Sequence, residues 1–316
     1  MKTKKTATIL VLFLLIGVMV LSVYSIVGNK LSNIYNPNGT PAVNGYDISG
    51  DAIFPDITPL PVPTRDLTVS SAIALPDIYN NGHGWTCTGL AYDADSDTFL
   101  VGDIGKTLPS SAGFASKIIR VSSDFTTVAE QIPLYTSFPN MSDVQGITID
   151  TMDGTIWFCS TSERLIRHID AHGNSLGSIS VSASPTGIAY SPKDDSFWVL
   201  TYADSNNILR LSKTGTVLEQ YTFRYSETLD QCFLDPERGY LYITAGANYF
   251  GRNNVYLFNT ATHEQSISCT VDSYSVEGIW IGADRMVIVN DGYYHSAAVA
   301  VNQANVYSLA LAKNTD

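Results

Sequence analysis

Positive charge is scarce in this 316-residue chain: 18 Lys and Arg stand against 30 Asp and Glu, a formal net charge of −12 at pH 7. Lys2, Lys4, Lys5 and Lys30 lie in a first thirty residues that contain no acid, so the remainder is more acidic still. Such a surface repels phosphate backbones and anionic lipid, which argues against nucleic acid as a partner. Cysteine is also sparse, with four residues, no Cys-x-x-Cys pair and no zinc-like Cys/His spacing. No serine-nucleophile motif, phosphate loop or dinucleotide fingerprint occurs, so nucleophilic and redox enzymes have no positive support. Helix formers are few relative to Ser, Thr, Tyr and Gly, and a helical period is missing from the body of the chain.

What the chain does have is a cassette repeated five times after residue 85. Its openings read Gly89-Leu-Ala-Tyr-Asp93, Gly146-Ile-Thr-Ile-Asp150, Gly187-Ile-Ala-Tyr-Ser191, Gln231-Cys-Phe-Leu-Asp235 and Gly278-Ile-Trp-Ile-Gly282. Each is followed by a turn of Asp, Gly, Pro or Ser, such as Met152-Asp-Gly154 or Pro236-Glu-Arg-Gly239, that tolerates tight hairpin dihedrals. Second strands follow at once, as in Ile156-Trp-Phe158 and Phe197-Trp-Val-Leu200, apolar enough to be covered on both faces. Third strands alternate, as in Ile118-Ile-Arg-Val121 and Ile208-Leu-Arg-Leu211, and fourth strands fit 128–134, 176–182, 217–223 and 265–271. A period of about 40 to 57 residues with four strands is that of a propeller blade.

The expected fold is therefore all-β, a β-propeller of five blades, with six as the alternative if residues 41–80 hold more than one strand. The fifth cassette has no outer strand of its own. The run Leu67-Thr-Val-Ser-Ser-Ala-Ile-Ala-Leu75 is expected to supply it and to close the ring without an exposed edge.

Three segments result. Residues 1–30 combine a basic start with an apolar run from Ile9 to about Val27, long enough to span a bilayer as an uncleaved anchor with the N-terminus cytoplasmic. A cleaved signal peptide is the competing reading, with Val23-Tyr-Ser25 as the processing site. Residues 31–66, rich in Asn, Gly and Pro, read as a stalk, and 67–316 as the propeller. The propeller is thus expected on the extracytoplasmic side, touching membrane only through the N-terminal helix, or secreted if that helix is removed. Export invites a disulfide reading, but Cys232 and Cys269 fall on the inner and outer strands of one blade, roughly 14 Å apart, so buried free thiols are expected.

The blade motifs, the Gly turn at Lys213-Thr-Gly215 and the N-terminal anchor resemble the NHL and SdiA-regulated class of propellers, and more distantly the gluconolactonase-like calcium propellers. The resemblance covers about residues 67–312. It implies an exported, anchored propeller, and Glu277-Gly278 is similar to the Glu-Gly with which the gluconolactonase-like enzymes hold calcium at the channel mouth. That comparison makes Glu277 and Asp230 the candidate metal ligands. Thr88 and Thr186 depart from the enzymes' further acidic or amide ligands.

Inner strands of a propeller begin at one end of its channel, and the second-to-third loops rise beside that end. Thr88, Gln145, Thr186, Asp230 and Glu277 are thus expected to ring the mouth, joined by Asp103, Ser162, Tyr202, Tyr249 and Asp291. Gln145, Tyr202, Tyr249, Tyr293 and Asp291 are the candidate ligand contacts, since aromatics among Asn and Gly suit a protein, peptide or glycan. His83 and His295, in loops on the same face, are the candidate general bases. His168, His172 and His263 fall on outer strands or turns and read as structural. Two functions remain open: a tethered binding module, and a calcium-dependent lactonase or esterase.

Overall fold

A computed structural model describes residues 66–80, 82, 85–105, 115–202, 206–246, 248, 251–291 and 302–309. The N-terminal apolar run, nearly all of the stalk, His83, Tyr249, Tyr293 and His295 lie outside the described residues. Among the described residues no helix is long and apolar enough to cross a membrane.

Strand β1 (Ser71–Ala74) comes first. Four blades then follow in chain order: β2 (Cys87–Asp93), β3 (Thr98–Asp103), β4 (Lys117–Ser122) and β5 (Val128–Pro133); β6 (Ile147–Ile149), β7 (Ile156–Ser160), β8 (Leu165–Ile169) and β9 (Ser175–Ser180); β10 (Ser184–Ser191), β11 (Ser196–Tyr202), β12 (Asn207–Ser212) and β13 (Val217–Thr222); β14 (Leu229–Asp235), β15 (Tyr240–Ala245), β16 (Asn253–Asn259) and β17 (Gln265–Val271). The fifth comprises β18 (Val276–Ile281), β19 (Arg285–Asn290) and β20 (Gln303–Ser308), with β1 as its outer strand. Each sheet is a four-stranded antiparallel meander, and β18 packs on β2 to close a five-bladed propeller.

The seam is more elaborate than the sequence indicates. Only Ser71–Ala74 of the 67–75 run pairs with β20, from Ser71 opposite Val306 to Ala74 opposite Gln303. Leu67 instead makes a parallel bridge to Val271 on the outer edge of the fourth blade, its N–H donating to Thr270 O at 2.8 Å. Arg252 donates to both Leu67 O and Thr270 O, and the Val69 N–H donates to Asp272 at 2.8 Å. One short segment therefore straps two blades, holding the edge of the fourth before it pairs with β20 of the fifth. The Leu67 side chain is buried in the apolar layer between blades four and five.

The core is divided into five such layers, one between each pair of neighbouring blades. This is why the second strands are apolar on both faces: Leu200, Val101, Ile243 and Val289 each lie in a sheet covered on two sides. All four cysteines fall in these layers, buried and unpaired.

Third strands carry a repeated tie at the far end of the channel. Arg120, His168 and Arg210 occupy the same register, opposite Leu100, Trp157 and Trp198. Arg120 pairs with Asp93 at 2.5 Å, and Arg210 pairs with Asp194, each fastening a hairpin turn. His168 instead stacks flat on Trp157 at 3.8 Å and bonds Thr155 at 2.8 Å. It is a structural residue. The acidic run Asp93-Ala-Asp-Ser-Asp97 forms the hairpin turn between β2 and β3, with Asp97 in the left-handed region at φ 51°.

Candidate functional site

Every inner strand is irregular at the channel mouth. Register slips between Cys87 and Leu90, Pro185 and Ile188, Leu229 and Cys232, and Val276 and Ile279. In the second blade, Gln145-Gly146 precedes β6 but continues its ladder through the Gln145 N–H to Cys159 O and the Cys159 N–H to Gly146 O. Bulges of this kind bend a strand and re-aim its side chains. They fall on Thr88-Gly89, Gln145-Gly146, Thr186-Gly187, Asp230-Gln231 and Glu277-Gly278, the five junctions at which the cassettes open.

The glycines are there because the inner strands converge. A Cβ on Gly146 would stand 2.5 Å from Thr186 O and 2.7 Å from Gly187 Cα, and the Gly146 N–H donates to Thr186 O across the blade boundary at 2.6 Å. Gln231, the one non-glycine of the set, turns its amide toward the same Thr186 O at 3.3 Å.

The ring side chains divide into two kinds. Thr88 donates to Val144 O at 2.8 Å and Thr186 to Leu229 O at 3.3 Å, so both hydroxyls tie neighbouring blades together. Gln145, Asp230 and Glu277 face a cavity of about 650 Å³, which Thr186 and Tyr202 also line. Asp143, Glu227, Thr228 and Asn248 complete much of its wall. Asp143 is held by the Ser162 N–H at 3.0 Å and by the hydroxyls of Ser160 and Ser162 at 3.0 and 2.9 Å. Gly246, in the left-handed region at φ 65°, leaves room for Glu227, since a Cβ there would lie 2.5 Å from Glu227 Cγ.

Charge in this cavity has one sign. Among the described residues its lining contains four carboxyl side chains and no Lys, Arg or His. Glu277 is the most enclosed of the four, 7% exposed, and its Oε2 has no hydrogen-bond partner among the described residues. Burial, then the facing Asp230 and Asp291, push its pKa well above the ordinary carboxyl value. Asp291 lies behind it, buried, accepting from the Ser275 hydroxyl at 2.6 Å. Beside it the Cys87 thiol donates to Asn290 O at 2.9 Å, and burial with these same acids raises its pKa.

Of the sequence candidates, Gln145, Tyr202, Asp230 and Glu277 come together on one cavity, and Asp291 supports it from below. Asp103 is sequestered instead, bonded by the Tyr79 hydroxyl at 2.5 Å and the Gly105 N–H at 2.8 Å. Ser162 is exposed on Asp143 and Ser142. Sequence reasoning missed Asp143, Glu227 and Thr228. They sit in the connectors from outer strand to next inner strand, and in an up-and-down blade these connectors rise at the same end as the inner-strand openings. Counting that connector would have found them.

A calcium ion takes six to eight oxygens. Here Thr88 and Thr186 are committed to backbone carbonyls, and among the described residues no three Asp, Glu, His or Cys side chains are arranged around one ion.

No protein-family model matches this chain, and no curated protein does. Solved structures with a similar course include a chain of a nidogen/laminin complex, 14% identical over 69% of this chain and 84% of the other, with a TM-score of 0.49. A gluconolactonase from Xanthomonas campestris is 15% identical over 70% and 72%, with a TM-score of 0.47. A virginiamycin B lyase from Staphylococcus aureus is 14% identical over 73% and 68%, with a TM-score of 0.43. Similarity at this level carries no argument about activity, and the propeller stands on this chain's own five sheets.

Proposed function

We propose that this chain is an extracytoplasmic, membrane-tethered recognition module of the NHL and SdiA-regulated kind, which binds its ligand in the cavity at the channel mouth. The observation that carries this reading is the cavity itself. Its volume of about 650 Å³ falls within the range of small-molecule sites, and its wall is polar where the rest of the propeller is sealed by apolar layers. The tether and the side of the membrane rest on the basic, apolar N-terminal segment.

Thr228 is exposed at the rim of this cavity, so a Thr228→Trp variant narrows it without entering a blade core. Thermal melting against a panel of amines, short peptides and glycans tests the proposal. A ligand that raises the melting temperature of the wild type and not of the variant supports it. A panel in which every stabilising compound acts equally on both proteins would overturn it.

The second reading, a calcium-dependent lactonase or esterase, draws on the unpartnered Glu277 Oε2 beside Asp230. It requires oxygen ligands beyond those two. Chelator-insensitive melting together with the absence of calcium binding by calorimetry would remove it.

A further inference from the structure

The chemistry of the cavity narrows its ligand, on the reading that this cavity is the recognition site. Among the described residues its charged lining is Asp230 and Glu277, on inner strands of the fourth and fifth blades, and Asp143 and Glu227, on the connectors that lead into the second and fourth. Glu277 adds the second observation: a side chain more than nine-tenths buried, lining the cavity, with one carboxyl oxygen that has no hydrogen-bond partner among the described residues. A buried acceptor left unpaired is unfavourable, and a donor brought by a ligand would satisfy it.

The donor has a recognisable chemistry. A calcium ion needs six to eight oxygens around one point, whereas an alkylammonium group needs only about three acceptors and is a donor on every hydrogen. The cavity is far larger than a bare ion requires and has room for a carbon chain. Tyr202 contributes an aromatic wall of the type that favours organic cations.

We infer that the cavity binds a small organic cation through an alkylammonium group seated against Glu277 and Asp230. The groups facing Glu277 are Asp230 on β14, Asp291 just beyond β19 and Cys87 on β2; the first two are acids and the third is a thiol kept neutral by burial.

Titration calorimetry of the full chain near neutral pH tests this with spermidine, a Gly-Lys-Gly peptide and the uncharged octanediol. Spermidine or the peptide should bind, and octanediol should not. The tighter of the two cations tells whether the ammonium comes from a free amine or a lysine side chain. Glu277→Gln and Asp230→Asn should each weaken binding about tenfold or more. Glu277→Gln keeps the shape of the side chain and removes one of three facing acids, so its melting temperature should equal or exceed that of the wild type and exclude misfolding as the cause.

Absence of binding by both cations, binding unchanged in both variants, or equal binding of octanediol would overturn the inference. If the cations fail while a neutral peptide or glycan binds and is lost in Thr228→Trp, the ammonium inference falls and the recognition site stands. If nothing in the panel depends on the cavity, both fall.

Discussion

Tyr79, in the loop between the seam strand and the first blade, donates its hydroxyl to the buried carboxylate of Asp103 at 2.5 Å. Burial raises the Asp103 pKa to about 6, while the Tyr79 hydroxyl, the Gly105 N–H and Lys117 restrain the rise. A carboxyl whose folded-state pKa is raised favours the native state at low pH, and that contribution is lost as pH climbs through the folded value. Stability supplied by Asp103 should therefore fall by roughly 3 kcal/mol between about pH 4 and about pH 7. Urea unfolding across that window checks it: the wild type should lose this amount relative to Asp103→Asn, which has nothing to titrate. Tyr79→Phe should steepen the loss, because the carboxylate loses its nearest donor. Parallel curves for the wild type and Asp103→Asn would refute the assignment.

Gly146 sits where three inner strands meet, and its missing side chain is a packing requirement. The nearest atoms to a new Cβ are backbone, so they cannot rotate away. Gly146→Ala should cost about 3 kcal/mol by overpacking, measurable as a lower urea midpoint with an unchanged slope. Gly154 differs in kind: nothing lies near its Cβ, but at φ 75° a side chain there is strained by the backbone itself and not by convergence.

The strap at the seam should be strong out of proportion to its length. Leu67→Ala empties a buried position between blades four and five and is expected to cost about 2–4 kcal/mol. Deleting 67–75 also exposes the edge of β20, so concentration-dependent aggregation in light scattering should follow. A monomeric deletion variant with wild-type stability would show that the seam closes without this segment.

The thiols provide a probe of the interblade layers. Cys87, Cys159, Cys232 and Cys269 are buried, and burial raises the pKa of each, that of Cys269 to about 12. None should react with Ellman's reagent in the native protein, and all four should react in denaturant. Rapid native modification of Cys232 or Cys159 would mean that the layers between blades two, three and four open readily.

The architecture was legible from the sequence because its signals are local: apolar runs of strand length, hairpin turns of Asp and Gly, and the recurrence of both. The strand offset that closes the ring was also readable, since one cassette lacked an outer strand and one unassigned run could supply it. The bridge of Leu67 to the fourth blade was not, because a single parallel contact leaves no periodicity. At the site, Gln145, Asp230 and Glu277 could be found by position alone, each being the residue before a cassette opening. What could not be read was the fate of Thr88 and Thr186, equivalent in sequence but turned onto backbone carbonyls by the bulges. Nor could the sequence distinguish Asp103 from Asp291, since their burial depends on partners such as Tyr79 and Ser275 contributed from other segments.

The most direct test of the channel-mouth site is titration calorimetry of spermidine into the wild type and into Glu277→Gln. Spermidine should bind the wild type, and the variant should bind it about tenfold or more weakly. No binding to the wild type, or equal binding by both proteins, would contradict the site.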